Sequence, residues 1–194
     1  MPSVAEILFY MRGLWRLFKG DPSAGRYLDF TERGLKRSFW SMALSMPFMM
    51  MTTMFTLAEQ QHLAFAADIR TVIRTALVEG LSWVVPLVVF GVICMIAALP
   101  KSFPRLVIAS NWMSLPVNVI AAIAIALIAS DLGILSEIVL LFLQVIVLGA
   151  FVFEIRIVYV LMENRLMPTA AAIVSASIIA LLISDIGMRY IGGL

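Results

Sequence analysis

The sequence predicts an all-α membrane protein: a bundle of five transmembrane helices, preceded by an amphipathic helix at the membrane interface. Three observations predict it. Five apolar segments, roughly 39–58, 81–99, 106–130, 136–157 and 168–187, stand out in the chain. Each can cover the ~30 Å of bilayer hydrocarbon, which needs about 20 helical residues. Apolar residues make up 62% of the chain and charged residues 13%, against roughly 25% charged in a soluble domain. Finally, Lys and Arg collect in alternate connections, as expected when successive segments cross in opposite directions. Backbone polar groups cannot go unpaired in lipid, and the segments are too long and uniformly apolar for barrel strands, so they are helices.

The chain divides into a cytoplasmic N-terminal region, 1–37, and a five-helix membrane domain, 38–194. In 4–19, Val4, Ile7, Leu8, Met11, Leu14, Trp15 and Phe18 share one helical face. Arg12, Arg16 and Lys19 cluster at its edge and are the candidate contacts with anionic headgroups. Gly20-Asp21-Pro22-Ser23 ends this helix. The stretch 59–80 is also periodic and reads as an outer connection that rests on the far leaflet or caps the bundle. No cleavable signal is expected, because Arg12 and Arg16 interrupt the early apolar stretch.

Seven basic residues precede the first span: Arg12, Arg16, Lys19, Arg26, Arg33, Lys36 and Arg37. Lys101 and Arg105 lie between the second and third spans, and Arg156 and Arg165 between the fourth and fifth. With five spans these fall on one side, leaving only Arg70, Arg74 and Arg189 on the other. Positive residues favour the inside. The expectation is a cytoplasmic N-terminus and a periplasmic C-terminus in a bacterial inner membrane.

Within the spans the polar residues are few. Ser110, Asn111, Ser114 and Asn118 fall on one face of the third span, and Gln144 lies near the middle of the fourth. They form the candidate intramembrane polar site. One account is helix–helix adhesion, with Asn118 pairing with Gln144; the other is a polar path for a small solute. On these span limits no ionisable residue sits at mid-membrane, and Glu154 and Arg156 fall where the fourth span meets the cytoplasm. Span one carries Met42, Met46, Met50 and Met54 at i+4 spacing; thioethers are usually adaptable gap-fillers. Two octets, 126–133 and 180–187, are similar. They place Gly133 and Gly187 as helix stops, Asp131 and Asp185 as solvated ends, and Ala122/Ala126 and Ala176/Ala180 as small faces for close packing.

No catalytic pattern is present: no Ser–His–Asp set, no Gly-x-Ser-x-Gly and no His-Glu-x-x-His. No cofactor is called for, and a formal charge of +2 gives no reason to expect nucleic acid. Cys94 is the only cysteine, so no disulfide framework exists. The expected partners are the lipid bilayer and other membrane proteins or further copies of the chain.

Lys36-Arg37-Ser38-Phe39-Trp40 enters span one and Phe103-Pro104-Arg105-Leu106 enters span three. With the cytoplasmic N-terminal region and five spans, the plan resembles the Yip1-like membrane proteins. That resemblance implies a non-enzymatic bilayer protein acting as scaffold or adaptor. The acidic-Leu-Tyr-Gly motif of the eukaryotic members is absent, and no functional residue is carried over. The alternative expectation is a small permease-like subunit using the polar face of the third span.

Overall fold

The computed structural model describes residues 1–61, 68–130 and 132–192. These residues form six α-helices: α1 (Val4–Phe18), α2 (Glu32–Gln61), α3 (Ile69–Ile96), α4 (Ser102–Ala129), α5 (Ile134–Leu161) and α6 (Leu166–Gly192), with a 3-10 turn at Pro22–Arg26. Five of them, α2 to α6, are long and apolar enough to cross a membrane. The 28-residue helices reach about 42 Å at ~1.5 Å per residue, so their ends project beyond the hydrocarbon.

Each expected segment contains one long helix, but every helix begins earlier than hydropathy indicated, and α3 ends at Ile96, short of the expected 99. Asp68 caps α3 by accepting a hydrogen bond from the Thr71 N–H at 2.8 Å. That cap starts the helix at Ile69, so 69–80 is the first part of α3 and not a separate surface element. Residues 62–67, including His62, lie outside the described residues.

Three helices end in the same way. The Leu99 N–H reaches the Cys94 carbonyl at 2.8 Å, and Ala98 N–H reaches Met95 at 3.1 Å. Asn164 to Tyr159 and Glu163 to Val160 repeat the pattern after α5, as do Asp21 to Arg16 and Gly20 to Leu17 after α1. These are the paired bonds of the Schellman ending, which puts one residue in the left-handed conformation. Gly20 fills that position without strain, whereas Ala98 (φ 57°) and Glu163 (φ 58°) adopt it at a steric cost.

The bundle is organised by two broad contacts, α2 on α4 and α3 on α6. Ser38, Ser41 and Ser45 are wholly buried on one face of α2. Their small side chains let α4 approach closely, as small residues do between membrane helices. On α6, Thr169, Ala172 and Ala176 are buried, and Gly187 lies directly against Val78 of α3. Gly187 therefore serves close approach inside a continuous helix; it is not the expected stop. Gly133, with φ 60°, does stand at a boundary, preceding α5. Ala122 and Ala176 are buried, as their small faces require. Asp185 is exposed and pairs with Arg189 at 3.2 Å; Asp131 lies outside the described residues.

α1 packs across one end of the bundle, against α4 and α5. Its docked face is Ile7, Tyr10, Met11, Gly13, Leu14 and Leu17. Tyr10 stacks on Trp112 of α4 at 4.3 Å, and Phe18 on Phe153 of α5 at 4.7 Å. Glu6 and Arg37 form an ion pair at 2.6 Å, and Arg156 donates to the carbonyl of Phe18 at 3.2 Å. Arg156 thus meets the negative end of α1. Val4, Leu8 and Trp15 face outward, so the expected single apolar face is divided between the bundle and the exterior.

Candidate functional site

Four of the five expected polar residues come together. Ser110, Asn111, Ser114 and Asn118 of α4 line a cleft of about 370 Å³ between α3, α4 and α5, with Met49 of α2 at its edge. Ser82, Trp83, Pro86, Leu87 and Phe90 form the α3 wall; Val147, Ala150, Phe151 and Glu154 form the α5 wall. Val147 and Phe151 are exposed, so the cleft opens sideways between the helices.

Asn111 is the junction of three helices. Its side-chain oxygen accepts the Trp83 indole N–H at 2.9 Å, and its amide donates to the Ser38 hydroxyl at 2.9 Å. Ser38 in turn donates to the Leu35 carbonyl at 2.8 Å. The network joins α2, α3 and α4 in a buried environment where each group would otherwise be unpaired. Ser114 donates to the carbonyl of Asn111 at 2.7 Å, stiffening the same turn of α4.

The expected Asn118–Gln144 pair does not form. Asn118 is half-buried in the cleft wall, whereas Gln144 is exposed on α5. The reason is the course of α5. Its buried residues, Ile157, Val158 and Leu161, all lie in its last turns. Over 144–149 every residue is exposed, so α5 stands clear of the bundle for more than a turn.

Two acids enter the picture. Extending α3 back to Ile69 brings Glu79 inside a spanning helix, where it is buried and accepts a hydrogen bond from Thr53 of α2. An intramembrane carboxylate was not expected on the shorter span limits. Glu154 lines the cleft half-buried and has no hydrogen bond or ion pair with a described residue. Arg156, two positions on, is turned to α1 and the Tyr159 ring.

The three basic candidates on α1 separate. Arg16 is held by Asp21 at 3.2 Å and Ser23 at 2.7 Å, and lies over the Tyr27 ring. That ion pair and the Ser23 hydrogen bonds hold the Asp21 carboxyl below its usual value, the backbone bond from Ser23 contributing most. Arg12 is exposed, and exposed Lys19 sits over Trp15 at 4.9 Å. Among the described residues no group of three or more His, Cys, Asp or Glu is placed to hold a metal ion.

The fold and cleft define the class: an integral membrane protein of five long apolar helices with a polar junction at the heart of its bundle. Comparison with protein-family models, curated proteins and solved structures gives no match.

Proposed function

We propose that this is a non-enzymatic scaffold or adaptor of a bacterial inner membrane, and that it works by self-association through α5. The observation carrying this reading is Gln144, a neutral amide within one turn of the helix midpoint, in the stretch 144–149 of α5 that is exposed throughout. A primary amide at that depth gains by finding a polar partner. A second copy in the same orientation supplies one at the same depth, and an amide can both donate to and accept from its twin. Such a contact is isologous, as in most homodimers. The role agrees with what the Yip1-like plan implies.

Gln144→Cys tests this directly, because native Cys94 is fully buried and does not compete. Copper-phenanthroline treatment of membranes should give a cross-linked dimer from Gln144→Cys. It should give little from Ile146→Cys, at similar depth on the opposite side of α5. Equal cross-linking at both positions, or none at either, rejects an α5 dimer.

The proposed orientation places α1 and the cleft end bearing Glu154 in the cytoplasm, on the eleven-to-three distribution of Lys and Arg. Arg12 and Lys19, beside outward-facing Val4, Leu8 and Trp15, then meet the inner headgroups. Alkaline phosphatase fused after residue 194 should be active and a fluorescent protein there dark. The reverse pattern inverts the topology.

A second reading, a small permease-like subunit, draws on the cleft that gathers Ser110, Ser114 and Asn118. Solute flux in proteoliposomes that falls in an Asn111→Ala/Asn118→Ala double variant supports it, provided folding is retained.

A further inference from the structure

We propose that the lateral cleft between α3, α4 and α5 binds a membrane amphiphile through its ammonium headgroup. The inference is independent of the α5 dimer and does not require transport. The cleft's polar lining is neutral except at one carboxylate. Among the described residues Glu154 is the only ionisable one lining it, and none of them neutralises that carboxylate. Pro86 has no N–H, so the carbonyl of Ser82, one turn earlier and also in the lining, receives no helical hydrogen bond. The Ser82 and Ser110 hydroxyls and the Asn118 amide add further acceptor sites.

The one strong donor on the α3 wall is already used, since the Trp83 indole N–H is bound to Asn111. The unneutralised Glu154 carboxylate therefore favours a ligand that brings positive charge and its own donors. An anionic headgroup would be repelled by Glu154, and among the described residues no Lys or Arg lines the cleft to receive it.

The rest of the lining fixes the other half of the ligand. Leu87, Phe90, Val117, Val147 and Phe151 are apolar. Exposed Val147 and Phe151 leave the side facing the hydrocarbon open, so a chain can enter from the bilayer. Glu154 lies toward the α1 end of the cleft, while Val147 lies two turns nearer the helix midpoint. The ammonium would sit toward one membrane surface and its chain would point inward, as an amphiphile already lies in that leaflet. At about 370 Å³ the cleft is at the lower end of the ~300–1,000 Å³ typical of ligand pockets. That favours a single-chain amine over a diacyl lipid, whose phosphate also has no cation here.

The test uses the full chain in phosphatidylcholine nanodiscs, with radiolabelled dodecylamine as the probe and empty discs as background. Saturable binding above background is expected. Glu154→Gln should weaken it about tenfold, the loss expected for one hydrogen bond to a charged group. Val117→Phe, which fills the cleft from α4 and leaves the carboxylate intact, should also weaken it. Both variants are to be checked for unchanged helicity and monodispersity. Dodecanoate should not compete.

Phosphatidylethanolamine discs separate two sources of the same headgroup. Competition there assigns the site to the lipid, and its absence assigns it to a free amine amphiphile. Binding no greater than to empty discs, or undiminished in both folded variants, overturns the proposal.

Discussion

Asn111→Leu is expected to destabilise the bundle by about 2–4 kcal/mol, a large effect for one membrane side chain. Two terms contribute. Two interhelical hydrogen bonds are lost, from Trp83 and to Ser38, at roughly 0.6 kcal/mol each on average in membranes. The buried Trp83 N–H is also left without a partner, which costs about 1–3 kcal/mol. Ser38 suffers less, since it still donates to Leu35. Trp83→Phe removes the stranded donor. In a double-mutant cycle Trp83→Phe with Asn111→Leu should therefore cost clearly less than the sum of the single changes. Unfolding in mixed micelles gives the four stabilities. Strict additivity would show that the indole and the amide do not interact.

The same junction shows what the sequence made legible. Asn111 was recognisable as an intramembrane amide with a structural use, and its neighbours Ser110, Ser114 and Asn118 as one face of α4. Its partners were not, because Asn118 meets Gln144 only if each helix packs along its length on the next in sequence. α5 diverges from α4 over 144–149, which removes Gln144 from reach, and α4 packs most broadly on α2.

A signal for that contact was available. Ser38, Ser41 and Ser45 repeat at i, i+3 and i+7, a small-residue stripe on one helix face. Helix limits failed for a related reason. Hydropathy drops at Arg70, Arg74 and Glu79, so α3 was expected to begin after them. Asp68 and Thr71, at capping-box spacing, mark its true start. At the other ends, Ala98 and Glu163 occupy left-handed positions where glycine is the usual signal.

Gly13→Leu should release α1 from the bundle while leaving α2 to α6 assembled. An added Cβ alone at Gly13 would lie 2.8 Å from the Tyr27 Cβ and 2.9 Å from the Leu28 Cγ. Leu28 is 1% exposed, so it has little room to yield, and a full leucine side chain demands more. Overpacking of this kind costs about 1–3 kcal/mol. α1 is an end element held by a limited set of contacts: the Glu6–Arg37 pair, the Tyr10–Trp112 stack, the Phe153 stack and the Arg156 bond. Swinging away is therefore cheaper than unfolding five spans.

Hydrogen exchange read by mass spectrometry should show faster exchange in 4–18, with 102–129 unchanged. Gly25→Leu is the control, since nothing lies within 4 Å of an added Cβ there. Equal effects of the two variants, or exchange rising equally in α4, would mean that α1 is not a separable element.

Alkaline pH should act on the same joint. Burial first, and the nearby Glu6 carboxylate second, raise the Tyr10 phenol above its ordinary value. The protonated ring is the form the docked state prefers. Its contribution is full below the ordinary phenol pKa of about 10 and is lost as pH rises through the raised value. Tyr10→Phe should remove that alkaline sensitivity while keeping the stack on Trp112. If the two proteins loosen α1 at the same pH, ionisation of Tyr10 is not what undocks it.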